Sequence, residues 1–139
     1  KLGGITERLK QRLGRAFAAQ GLESEFHCLF LPRLAHADFL SIHKRITHLV
    51  QDVRFKSLSS GKATKERAIS YKGELRYIDL LVQHEEGWVV MDYKSAKGHS
   101  EQYNRQVSFY KQAVADITKE KVSGYLVYML EEGCEIVEV

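Results

Sequence analysis

The sequence predicts an α/β domain, a sheet covered by helices, and three observations lead there. Apolar residues recur at helical spacing on both sides of a central block, and from Glu66 the period shortens to that of strands. The strongest strands, around Leu80–Val82 and Trp88–Met91, are apolar on both faces. A sheet of that kind must be covered on each side, and helices supply the cover.

In chain order, residues 5–20 set Ile5, Leu9, Leu13 and Phe17 four apart, which predicts an amphipathic helix stopping at Gly21. Its Lys10, Arg12 and Arg15 form a solvated face that a nucleic-acid backbone could also use. Residues 22–35 follow neither period, and Pro32 marks a break. A second helix is expected over 37–52, with Asp38 as its cap and Phe39, Ile42, Ile46 and Leu49 as its apolar stripe. The polar, glycine-containing run 56–65 predicts a loop. ERAISY, ELRYIDLLVQ and WVVMDYK then read as three antiparallel strands in a meander, turning at Tyr71–Gly73 and His84–Gly87. A loop over 95–100 leads to a long helix over 101–119, with Tyr103, Val107, Tyr110, Val114 and Ile117 on one face and Gln106 on its flank. GYLVYML and CEIVEV close the chain as two more strands, the last one edge-like.

With 139 residues, 44% of them apolar and 28% charged, the chain is expected to be a single domain, 1–139. A helical N-terminal part over 1–60 would precede a sheet core over 65–139. The chain begins at Lys1 rather than Met, so it is expected to be a piece of a longer protein. No run has the length of a membrane span and no secretory pattern opens the chain, which predicts no membrane partner and a cytoplasmic location. Cys28 and Cys134 are then expected as reduced thiols, too few to hold an iron–sulfur cluster. A net charge of +3 permits nucleic-acid binding without requiring it.

The chemistry concentrates in Gly73–Lys94. Asp79 and Asp92 interrupt apolar strands, and Lys94 follows Asp92 by two residues, on the same strand face. Acids among buried residues need partners. Two carboxylates from adjacent strands, with the backbone carbonyl of Tyr93 between Asp92 and Lys94, could hold a hard divalent cation. A lysine beside it could position water or stabilise developing negative charge. An ordinary Asp92–Lys94 ion pair with Asp79 at a sheet edge accounts for the same residues equally well. His43 borders the apolar stripe of its helix and reads first as a boundary residue, with metal ligation a minor alternative; His36 and His48 carry less weight.

The pattern extends beyond Lys94. G-x-x-x-x-I-D, then V-V-x-D-Y-K-S, then Y-x-x-Q-x-x-x-Y, spanning about 66–128, resembles the RecB-family nuclease domain of the PD-(D/E)XK superfamily. The likeness is greatest to the C-terminal nuclease domain of AddA/RecB helicase–nuclease subunits. It implies a restriction-endonuclease-like αβββαβ core with a mixed central sheet flanked by helices. It also implies that Asp79 and Asp92 are metal ligands, that Lys94 is the catalytic lysine, and that Gln106 and Tyr110 help shape the active site. The implied cofactor is Mg²⁺, or Mn²⁺ in its place. The implied partners are DNA, delivered as single strands by a helicase domain of the same parent chain, and a second nuclease subunit. Glu66 could match an acid that the family carries on its first strand, although a solvated charge explains it better. Two departures stand out. Arg76 and Tyr77 occupy places where the family has an acid and an arginine, and no G-x-x-x-H motif precedes the core, so that motif is expected before Lys1. The expected function is therefore a Mg-dependent deoxyribonuclease of a machine that processes double-strand ends for recombinational repair. The alternative is an inactive nuclease-like module for DNA binding or subunit assembly.

Overall fold

A computed structural model describes residues 39–139 of the chain. The helix expected over 5–20, the break at Pro32, His36, Cys28 and the Asp38 cap lie outside the described residues.

The described chain opens with α1 (Phe39–Gln51), whose Ile42, Ile46 and Leu49 are buried as the stripe requires. The loop expected over 56–65 is corrected: a short helix, α2 (Val53–Leu58), and the start of the first strand occupy it. Asp52 caps α2 by accepting the Phe55 N–H at 2.8 Å, and Phe55 inserts into the core. An aromatic anchor and a cap order the first part of a stretch whose composition reads as polar loop, and pairing with the next strand orders its end.

Five strands follow in spatial order β1-β2-β3-β4-β5. β1 (Lys62–Tyr71), β2 (Glu74–His84) and β3 (Gly87–Lys94) form the expected antiparallel meander. β1 and β2 turn through Lys72 and Gly73, with φ of 49° and 77°, the positive pair that a two-residue hairpin of matching twist needs. A long helix, α3 (Ser100–Thr118), then crosses the sheet and returns the chain as β4 (Val122–Met129), parallel to β3. β5 (Cys134–Glu138) pairs antiparallel with β4 and forms the far edge. The sheet is therefore mixed, and its element order contains the expected αβββαβ core.

Two cores sit on the two faces of the sheet. On one, Ile42, Ile46, Leu49 and Phe55 pack on Leu80, Val82, Met91 and Val127. On the other, Val107, Tyr110, Ala113 and Val114 of α3 pack on Ile78, Leu81, Val90 and Leu126. Full burial of each large aliphatic side chain is worth about 1.5–3 kcal/mol, so both helical layers are anchored to the sheet by several such residues. Ile117, expected on the same face of α3 as Val107, Tyr110 and Val114, is instead 60% exposed. α3 lies close to β4 at Gly124, where a Cβ would stand 2.7 Å from Val107 Cγ1 and 2.6 Å from Lys111 Cδ.

Arg45 of α1 ties the sheet ends together. Its Nη1 donates to the carbonyl oxygens of Ser95 at 2.7 Å and Met129 at 2.8 Å, just past β3 and at the end of β4.

Candidate active site

The pairing of β2 with β3 runs from His84–Gly87 to Leu80–Met91 and stops. Asp79 and Asp92 are the next residues on their strands. With the backbone ladder ended, Asp79 Oδ2 accepts the Tyr93 N–H at 2.9 Å. The alternation of β2 also slips here. Ile78 packs on the α3 side, as does Leu81, whereas Leu80 and Val82 pack on the α1 side. Residues 78 and 80 would share a face in a regular strand. On β1, register places Glu66 opposite Asp79, between the Lys65–Leu80 and Arg67–Ile78 pairs, and Glu66 has φ +50°. Left-handed backbone in a non-glycine strand residue is strained, and such strain concentrates at functional sites. The Glu66 side chain is exposed.

Asp92 is the buried charged residue of the described core, at 3% exposure. The surface ion pair that sequence alone allowed is thus replaced by a buried one. Lys94 Nζ lies 2.7 Å from Asp92 Oδ2, and that oxygen has no hydrogen-bond partner in bonding geometry. The ammonium balances one carboxylate charge, and Asp79 brings a second acid beside it. Lys94 Nζ also donates to Gln106 Oε1 at 3.1 Å and stands 4.3 Å from the Tyr103 ring centroid. Gln106 Nε2 in turn donates to the Tyr110 hydroxyl at 3.0 Å. Since α3 presents residues 103, 106 and 110 on one side, a single helix supplies the ring and the amide that hold the ammonium and the phenol that holds the amide. The structure therefore brings Asp79, Asp92, Lys94, Gln106 and Tyr110 into one connected cluster, with the Tyr93 peptide inside it and its ring packed against Phe55 on the α1 side.

The electrostatics describe a site short of positive charge. Burial, and then the Asp92 charge, push the Asp79 carboxyl up to about 7, against the pull of the Tyr93 N–H and the Lys94 ammonium. For Lys94, burial works against the ammonium, but the Asp92 and Asp79 carboxylates outweigh it and raise its pKa. The Tyr110 phenol is raised by burial, with the Gln106 hydrogen bond opposing.

A divalent cation fits these residues. The buried Asp92 oxygen without a hydrogen-bond partner and the neighbouring desolvated Asp79 are hard oxygen donors on one side of a strand opening. Among the described residues, no group of three or more His, Cys, Asp or Glu stands together for a metal. His43 is exposed on α1 and His48 half-buried there; neither joins the carboxylate pair in such a group.

Sequence reasoning did not find Arg45. Helical spacing lets Tyr103, Gln106 and Tyr110 converge on one site, and the structure adds that the Tyr103 ring faces the Lys94 ammonium.

No family model matches this chain, and no curated protein matches it. Among solved structures, it is similar to a protein from Eubacterium rectale named "Putative exonuclease", with a TM-score of 0.56 and 15% identity over 94% of this chain. This chain spans 59% of that protein's length. A second structure, SSO0001, covers 94% of this chain and 62% of its own at 16% identity, with a TM-score of 0.41. The mixed five-stranded sheet flanked by helices is a restriction-endonuclease-like fold. Among the described residues, no helix is long and apolar enough to cross a membrane.

Proposed function

We propose that this chain is a metal-dependent deoxyribonuclease domain hydrolysing phosphodiester bonds at Asp79, Asp92 and Lys94. The observation that carries the proposal is the buried Asp92 oxygen, without a hydrogen-bond partner and 2.7 Å from Lys94, at the point where β2 and β3 part. A bound magnesium or manganese ion would supply Lewis-acid chemistry there, acidifying water and offsetting phosphate charge. Asp79, Asp92 and the Tyr93 carbonyl would hold it. The chain's own residues divide the remaining work. Lys94, kept protonated by two carboxylates and aimed by Gln106, can orient water or neutralise charge developing on a phosphate oxygen. Tyr110 fixes the Gln106 amide, so that its oxygen faces Lys94. The E. rectale protein's name and the sequence likeness to RecB-family domains support the same reading. On that likeness, the domain is the nuclease module of a helicase–nuclease that takes single strands from a motor in its parent chain.

One observation favours a second reading, a non-catalytic DNA-binding module: the described residues offer only two side-chain carboxylates to a metal. A single experiment separates them. End-labelled linear DNA is incubated with the protein and Mg²⁺ or Mn²⁺, beside an Asp92→Asn control. Metal-dependent cutting that the substitution abolishes supports the nuclease. DNA binding without cutting supports the module, and neither activity would end both proposals.

A further inference from the structure

A groove of about 400 Å³ opens beside the candidate active site, lined by Glu74, Arg76, Gln102, Arg105, Gln106 and Phe109. It lies between the start of β2 and α3, and Gln106 belongs to both places: it lines the groove while its Oε1 accepts from Lys94. Anything seated in the groove is therefore one side chain away from the ammonium of the site.

The lining has the chemistry of a phosphate receptor. Arg76 donates through Nε and Nη2 to Glu74 Oε2, at 3.0 and 2.6 Å, and its guanidinium stands 5.5 Å from the Phe109 ring centroid. Those contacts fix the plane of the fork. Glu74 takes two of its five N–H groups, which leaves the Nη1 edge for a ligand. Half-exposed, the pair is also weak enough for a second anion to share the guanidinium. Arg105 is exposed on α3 and has no ion-pair or hydrogen-bond partner among the described residues. Two guanidiniums and a side-chain amide lining one groove suit a phosphodiester, whose oxygens accept in the plane of the fork. An open groove continuous with Gln106 suits a chain of phosphates rather than a free ion.

We propose that this groove is a subsite for a flanking phosphate of the nucleic-acid substrate, held by Arg76 and Arg105 as the strand leaves the catalytic centre. The subsite rests on the nuclease reading for its substrate, and its test includes a binding measurement that does not depend on turnover. In it, Arg76 and Arg105 are binding residues that set KM, and they leave the reacting atoms to Asp79, Asp92 and Lys94.

The test uses the full chain and a labelled single-stranded oligonucleotide with Mg²⁺ or Mn²⁺. The Arg76→Gln/Arg105→Gln double variant should raise KM about tenfold or more with little change in kcat. Its log–log salt dependence should be shallower by roughly 0.7 for each phosphate that the protein no longer neutralises. A control removing two charges elsewhere, Lys56→Gln/Lys62→Gln, should stay within twofold of the parent. Replacing the link next to the scissile one by an uncharged methylphosphonate should shrink the tenfold difference to less than twofold. Equal KM and salt slope in parent and double variant would overturn the subsite, as would a methylphosphonate that changes nothing. If the parent cuts no substrate, the nuclease reading fails and fluorescence anisotropy decides the groove. A tenfold weaker Kd in the double variant sustains it as a nucleic-acid contact, and equal Kd values dismiss it.

Discussion

Replacing Asp79 by asparagine should stabilise the metal-free protein at alkaline pH. The folded Asp79 carboxyl is pushed up to about 7, from 3.8, by burial and by Asp92. An unfolded chain releases that proton near pH 4. Between these values the folded state binds more protons than the unfolded state, so stability falls as pH rises and levels off above about 7. A shift of about three units corresponds to roughly 4 kcal/mol, an upper bound because the two acids share their charge. Asparagine retains an oxygen for the Tyr93 N–H at 2.9 Å but has no charge to desolvate. In chelator at pH 8, the Asp79→Asn variant should then melt on the order of 10 °C above the parent, and the two should converge near pH 4–5. Magnesium or manganese should raise the parent's midpoint at pH 8 and leave the variant nearly unmoved. Thermal or urea unfolding at four pH values, with and without metal, measures all of this. A variant that keeps the parent's slope, or is less stable at pH 8, would refute the picture of two crowded acids awaiting a cation.

Lys94→Met should lower stability by about 3 kcal/mol, since it leaves Asp92 buried without its ion pair, and cutting should fall below detection. Urea midpoints and the labelled-DNA assay check it. The Cys134 thiol is pushed up to about 12 by burial, so in a Cys28→Ser background it should react with a disulfide reagent at pH 8 at least a hundredfold slower than in urea. Gly124→Ala should cost about 1–3 kcal/mol, read by denaturant unfolding, because its methyl group meets Val107 and Lys111.

Much of the candidate site was legible because strand and helix periods are local. Asp92 and Lys94 share a face by alternation alone, and Gln106 and Tyr110 share one by helical spacing. What escaped the sequence depended on distant partners. Lys62–Lys65 look like loop, yet they pair with Gln83–Leu80 across the hairpin, and tertiary pairing outweighs polar composition. The short helix α2 owes its order to Phe55, whose neighbours in the core include Tyr93. The slip in β2 at Asp79 and the left-handed Glu66 opposite it leave no mark in composition, because they are properties of two paired strands. Arg45 offers no period or motif, and its two carbonyl partners lie 50 and 84 residues away.

The missing side chain at Gly124 acts as a spacing gauge for the whole site. Gly124 lies on β4, opposite Val90 of β3, and it sets how near α3 can rest on the sheet. Val107, which fills the clearance, is the immediate neighbour of Gln106 on that helix. Any thickening of β4 at this point would therefore be transmitted as a lift of the Gln106 amide away from Lys94, although no atom of residue 124 belongs to the candidate cluster. Tuning of this nuclease candidate could thus come from a strand that carries none of its acids.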